Sequence, residues 1–266
     1  MNNHEIDYKV FGDDMQYVQV ELDPQETVVA EAGALMMMDD AIQMETIFGD
    51  GSKGNSQSGL MGKLLGAGKR LVTGESLFMT TFTNIGTGKR HVYFASPYPG
   101  KIIPMDLSQH KGKIICQKDA FLAAAKGVSV GIEFQKKIGV GFFGGEGFIM
   151  QKLEGDGMAF VHAGGAIHRK TLQPGEVLRV DTGCLVAMTS DVDYNIEMVG
   201  GVKTALFGGE GIFFATLRGP GTVWVQSLPF SRLASRVFAA APISQGGGGH
   251  SSGEGGIGGL FDMFNK

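Results

Sequence analysis

Short apolar runs, β-branched or aromatic in character and bounded by glycine or proline, recur along most of the chain. Val177-Leu-Arg-Val180 and Thr222-Val-Trp-Val-Gln226 are representative. Such runs have the composition of β-strands, and turn residues recur about every 8 to 12 positions, as a sandwich or barrel requires. The pattern predicts an all-β fold of tandem sandwich- or barrel-like modules. Helical spacing occurs at Leu60, Met61, Leu64 and Leu65, beside Lys63, Lys69 and Arg70. Glycines interrupt that stretch, and each costs about 1 kcal/mol inside a helix.

The runs are organised as repeats. Phe143–Val161 aligns without a gap on Phe207–Val225 at an offset of 64, with nine identities in nineteen positions. A weaker copy runs from Thr73-Gly-Glu-Ser-Leu-Phe78 to His91-Val-Tyr-Phe94. A second element, Leu22-Asp-Pro-Gln-Glu26 through Gly33-Ala-Leu35, matches Leu172-Gln-Pro-Gly-Glu176 through Gly183-Cys-Leu185 at an offset of 150; Leu107–Leu122 is a looser version. Matched Leu, Pro, Glu, Gly and Leu in one frame mark internal repetition. Each unit reads as a hairpin, a Pro/Gly turn and two more strands. The expected division is residues 1–48 as a first module, 49–70 as a Gly/Ser loop with a short amphipathic segment, 71–140 as a second module and 141–206 as a third. Residues 207–240 are then a closing hairpin that pairs with the first module, about three pseudo-repeats closing around a pseudo-threefold axis. Residues 241–266 read as a disordered glycine-rich tail with an apolar end.

Composition narrows the function classes. Hydrophobic residues make up 43% and charged residues 19%, a globular balance, while glycine is in excess at 43 of 266 residues against a usual share of about 7%. A net charge of −4 weighs against nucleic acid, which needs a dense Lys/Arg surface. Cys116 and Cys184 are too few for a disulfide framework and read as reduced core residues. The polar, acidic start lacks the features of a secretory or transit peptide, and no apolar run approaches the ~18 residues that span a bilayer. These features predict a cytoplasmic protein.

Several segments together resemble the altered inheritance of mitochondria protein 24 family, bacterial branch. They are Thr73-Gly-Glu-Ser-Leu-Phe-Met79, His162-Ala-Gly-Gly-Ala-Ile167, Pro174-Gly-Glu176, Val180-Asp-Thr-Gly183, Phe207-Gly-Gly-Glu-Gly211 and Gly219-Pro-Gly-Thr-Val-Trp-Val-Gln-Ser-Leu-Pro-Phe230-Ser-Arg-Leu233. The resemblance covers about Asp7–Phe238. It implies tandem β modules like those of the tryptophan RNA-binding attenuation protein, and a family without an established reaction whose eukaryotic members are tied to mitochondrial maintenance. It carries no catalytic motif onto these positions.

Candidate chemistries each meet a simpler reading. Gly139-Val-Gly-Phe-Phe-Gly144 fits a dinucleotide loop, but another turn and strand follow where a helix N-terminus is needed. Gly68-Lys69 and Gly88-Lys89 are followed by Arg, not by the Ser or Thr of a phosphate loop. His162, His168 and Glu176 offer ligands for a divalent transition metal, without the closely spaced His-x-His pair. Ser56 and Ser58 have no base near them in sequence, and Cys184 has no charged helix terminus to activate it. Glu75, Glu146 and Glu210 occupy one equivalent position in three copies; they either converge on a cation or partner, or accept backbone N–H bonds in their own turns. Leu260, Phe261 and Phe264 form a tethered apolar motif for a partner protein or a membrane surface.

The reading that results is a non-enzymatic scaffold that self-associates or binds other proteins, with weak membrane-surface contact as a further property and no cofactor. Edge strands and hairpins supply its surfaces. Alternatives are a small-ligand or RNA-binding module, and a metal-dependent enzyme using His162 and Glu176.

Overall fold

Strand formation follows the apolar runs closely. In Tyr17–Leu22 buried and half-buried positions alternate, which lets one face of a pleated strand pack on a core. Phe121–Ala125 is buried throughout, the signature of a strand covered on both faces. The structure, a computed structural model, describes residues 5–48, 78–136, 148–198 and 213–240. Among the described residues, β1 (Asp7–Phe11) is followed by eighteen strands in three sets of six. The first set is β2 (Tyr17–Leu22), β3 (Thr27–Glu31), β4 (Leu35–Met38), β5 (Ile42–Phe48), β6 (Phe78–Asn84) and β7 (Arg90–Ala95). The second is β8 (Gly100–Asp106), β9 (Lys113–Gln117), β10 (Phe121–Ala125), β11 (Ser129–Lys136), β12 (Phe148–Glu154) and β13 (Met158–Gly164). The third is β14 (Ile167–Leu172), β15 (Val177–Asp181), β16 (Leu185–Thr189), β17 (Asp193–Met198), β18 (Phe213–Arg218) and β19 (Gly221–Gln226), followed by a helix, α1 (Phe230–Ala240).

One pairing scheme serves all three sets, always antiparallel. The sixth strand lies between the first and third, as in β2·β7·β4, β8·β13·β10 and β14·β19·β16. The fifth lies between the second and fourth, as in β3·β6·β5, β9·β12·β11 and β15·β18·β17. Successive sets are joined by the second strand of one pairing with the third strand of the next: β3 with β10, and β9 with β16. Four sheets result, ordered β1-β2-β7-β4, β5-β6-β3-β10-β13-β8, β11-β12-β9-β16-β19-β14 and β15-β18-β17.

The sheets stack through three apolar layers. Val18, Val92 and Phe94 meet Val28, Phe82, Ala123 and Phe160 between the first two sheets. Val29, Met105 and Val161 meet Ile114, Leu153 and Trp224 between the two six-stranded sheets. Ile115, Met150 and Leu185 meet Ile196, Ala215 and Leu217 before the last sheet. Each third strand carries an irregularity at the same place, between Leu35 and Met37, Phe121 and Ala123, and Leu185 and Ala187. An extra residue in a strand puts neighbours on one face, so Leu122 and Ala123 share one layer and Val186 and Ala187 another. Fully buried Phe82, Phe94, Phe148 and Phe160 each contribute about 1.5–3 kcal/mol by leaving water.

This pairing revises the expected module boundaries. The hairpin ends a set instead of opening it, so residues 141–206 do not form a unit: β12 and β13 complete the second set. The closing hairpin 207–240 does not pair with the first module. Its strands β18 and β19 pair with β15, β17, β14 and β16, and the rest of it forms α1. The pseudo-threefold closure would require β4 to pair with β15; among the described residues these strands edge different sheets at opposite ends of the stack. The repeat period defines what a unit contains, not where it starts, and strand order depends on contacts remote in sequence.

Candidate functional site at the open strand edges

The stack has two ends, and each exposes a strand whose counterparts are covered. In the inner joints the third strand is buried: β10 throughout, and β16 in four of five positions. β4 holds the same place in the first set, and no described strand pairs with its outer edge. Its Met36, Met37 and Met38 are 50%, 47% and 41% exposed. Met37 faces Tyr93 across β7, as Ala123 faces Phe160 and Ala187 faces Trp224. At the other end β15 corresponds to β3 and β9. β3 has four buried residues and β9 three, whereas β15 buries only Val180 and leaves Val177 exposed.

An aromatic strip continues from β4 over the outer face of its sheet. Phe11 stacks on Tyr17 at 5.1 Å between ring centroids, Tyr17 lies 6.4 Å from Tyr93, and His91 lies 6.3 Å from Tyr93. Lys9 stands 4.9 Å above the Phe11 ring. The surround is charged: His91 bonds Asp39 at 3.0 Å and Glu21 at 3.3 Å, and Arg90 pairs with Asp40 at 3.3 Å. Lys89 bonds Glu21 and holds its carboxyl below the usual range. Methionine and aromatic side chains inside a polar rim have the anatomy of a protein-binding patch.

Several groups capable of chemistry lie near one another: Tyr98 contacts His162 and feels the charges of Asp119 and Glu31, and Glu31 in turn acts on Cys116. His162, on β13, is 1% exposed and neither ring nitrogen has a hydrogen-bond partner. Burial pushes its pKa down to about 4; the Tyr98 main chain opposes the shift but makes no hydrogen bond of ordinary geometry. The ring packs edge-on against Tyr98 at 4.4 Å. Burial also raises Glu31 to about 7, with Asp119 adding to the shift and Lys118 opposing it, and raises Cys116 to about 12. A general base needs an orienting partner and reach to a substrate proton, and His162 has no hydrogen-bonded carboxylate.

A separate cleft of about 200 Å³ is lined by Glu5, Asp7, Glu21, Asp23 and Glu26. Antiparallel pairing of β1 with β2 sets Asp7 opposite Glu21. Burial raises the Glu26 pKa, although its bond from the Asp23 N–H acts the other way, and Asp23, Asp7 and Glu5 raise it further. Sequence reasoning missed this cluster because its members come from three segments joined only by the β1–β2 pairing and the following turn.

The proposed metal ligands do not assemble. His162 is buried in β13, His168 is exposed on β14, and Glu176 lies past the other end of β14, bound to Lys170 at 2.9 Å and to the Gln173 N–H at 3.0 Å. Extended strands rise about 3.3 Å per residue, so the turn carrying Glu176 lies well away from His168. Among the described residues no three His, Cys, Asp or Glu gather into a metal-holding group. Glu75, Glu146, Glu210, Leu260, Phe261 and Phe264 lie outside the described residues, as do Leu60–Arg70, Ser56, Ser58 and Gly139–Gly144. Cys116 is buried and Cys184 is half-buried. No helix among the described residues is long and apolar enough to cross a membrane.

Residues 8–228 match the family model described as Mitochondrial biogenesis AIM24. An uncharacterised protein of Streptococcus pyogenes serotype M6, M6_Spy0233, is 31% identical over 235 residues, covering 86% of this chain and 89% of that protein. The crystal structure of SPYM3_0169 from Streptococcus pyogenes superposes with a TM-score of 0.70 at 24% identity, covering 89% of this chain and all of that one. That likeness concerns the fold.

Proposed function

The chain belongs to the AIM24 family, and from that premise we propose that it is a non-enzymatic interaction scaffold acting in the cytoplasm through its open strand edges. One observation carries the reading. Met36, Met37 and Met38 are exposed on β4, the third strand of its set, while the same strand of each later set is buried beneath a neighbour. An uncovered strand edge offers main-chain N–H and C=O groups to an added strand, and adjacent apolar side chains supply the burial that fixes it. The strip from Phe11 through Tyr17 to Tyr93 extends this surface. His162 is buried with no carboxylate bonded to its ring, and Glu176 lies past the far end of β14, which supports a binding role over turnover.

The test is photo-crosslinking in living cells from a reactive side chain at position 37, with position 195 on β17 as a control. Covalent protein adducts from 37 and few from 195 are the expected result. A position 37 that yields no protein adduct overturns the reading.

A further inference from the structure

We propose that the partner of the β4 edge is a second copy of this chain, which adds its β15 to β4 in a head-to-tail strand joint. The proposal rests on the interaction reading above and names its occupant. Its basis is that the chain makes this joint twice within itself. In the first joint Ala123, Ala124 and Ala125 face Ala30, Val29 and Val28. In the second Ala187, Met188 and Thr189 face Cys116, Ile115 and Ile114. Three sets joined in series leave, among the described residues, one third strand and one second strand unused, and these are β4 and β15.

The inner joints dictate the register of the outer one. Met37 stands where Ala123 and Ala187 stand, since each is opposite the aromatic residue of its sixth strand. Glu26 and Glu176 end equivalent turns, so Val180 on β15 corresponds to Ala30 on β3. Met37 therefore faces Val180, Met38 faces Arg179 and Asp39 faces Leu178 of the second copy. Val180 is already turned into the last apolar layer, where Met37 and the Tyr93 ring extend the cover, as Ala123 and Phe160 do in the first layer.

The charges fit the same register. Where the inner joints use Val29 and Ile115, the outer one uses Arg179, with Arg218 beside Val177 on β18. Both arginines are exposed, and by strand alternation both lie on the face that Asp40 takes at the end of β4. A single chain cannot make this joint to itself, because two six-stranded sheets and three apolar layers separate β4 from β15. The contact is thus heterologous, closing into a ring of copies or extending as a filament. β17 supplies no such joint: its counterparts β5 and β11 are edges in every set.

The test uses the full chain in light scattering over a concentration series. Wild type is expected to exceed monomer mass. Met37→Lys and Arg179→Glu, placed at exposed positions, should each weaken association about tenfold or more. Mixed one to one, the two variants should recover a species of two copies, since each retains the edge the other lacks. Under mild oxidation, chains carrying Met38→Cys should form a disulfide with chains carrying Arg179→Cys, and neither variant should do so alone. A wild type that stays monomeric at every concentration, or a Met38→Cys chain that crosslinks to itself, overturns the head-to-tail joint. Protein adducts from position 37 in cells together with a monomeric purified chain would retain the interaction reading and reject the second copy as its partner.

Discussion

His162 and Gln226 occupy the same place in successive sets, each on the sixth strand and each facing an isoleucine of the first strand, Ile102 or Ile167. Both are buried. Gln226 accepts the Gly164 N–H at 2.7 Å and donates to the Gly183 carbonyl at 2.8 Å, whereas His162 bonds to nothing. An amide that saturates both its ends is inexpensive to bury, and an imidazole without partners is held neutral by its surroundings.

Acid should therefore act through His162. Its folded pKa of about 4 lies below the unfolded value near 6.5, so protonation favours the unfolded chain. Its contribution is complete above pH 6.5 and is lost as the pH falls towards 4, at most about 3 kcal/mol. In His162→Gln the loss of stability between pH 7 and pH 5 should shrink by about 2 kcal/mol. Urea unfolding at the two pH values measures it, and an unchanged difference would refute the assignment.

Glu31 works in the opposite direction. Its folded pKa of about 7 exceeds the ordinary carboxylate value, so its contribution is complete below about pH 4.5 and disappears as the pH rises through 7. Between pH 4.5 and 6.5 the two residues offset one another. Glu31→Gln should steepen the acid-induced fall in melting temperature and raise that temperature at pH 8. Parallel melting curves for wild type and variant would show Glu31 to be an ordinary surface carboxylate.

The turns after β2 and β14 share a backbone but differ at the residue of positive φ. Gln25 has φ 72° and Gly175 has φ 80°, and each N–H bonds a carbonyl at the end of the fifth strand, of Asn84 or Gly219. A side chain in this region costs about 1–2 kcal/mol, partly offset by the freedom glycine has when unfolded. Gln25→Gly should stabilise by about 0.5–1 kcal/mol and Gly175→Ala should destabilise by about 1 kcal/mol. Denaturant midpoints report both, and changes of the same sign would contradict the shared geometry.

Like charges oppose each other in the acidic cleft. Asp7 faces Glu21, and direct cross-strand repulsion destabilises a sheet. Asp7→Asn should raise the melting temperature in dilute buffer, with the gain fading in concentrated salt as screening shortens the interaction. A gain independent of salt would point to a cause other than repulsion.

Much of the fold was legible because strand formation is local. The match between Phe143–Val161 and Phe207–Val225 marks β12–β13 and β18–β19, and Pro24 and Pro174 mark equivalent turns. The phase of the unit was not legible: nothing in a periodic string says whether Phe148–Gly164 opens one set or ends another. The acidic cleft was hidden for a related reason, since Asp7 and Glu21 become neighbours only through register. The candidate edge was hidden too, because the run from Leu35 to Met38 reads as apolar whether or not a strand covers it.

Composition and turn chemistry thus determined by themselves that the chain is a glycine-cornered series of β-strands, because backbone preference and local apolar runs act within a few residues. Tertiary structure alone decided which copies join, which strands are left at the ends and which polar groups are buried without partners. Those outcomes depend on hydrogen bonds between strands dozens of residues apart, as between β3 and β10. The exposure of Met37 beside the burial of Ala123 and Ala187 comes from position in the stack, not from any difference in local propensity.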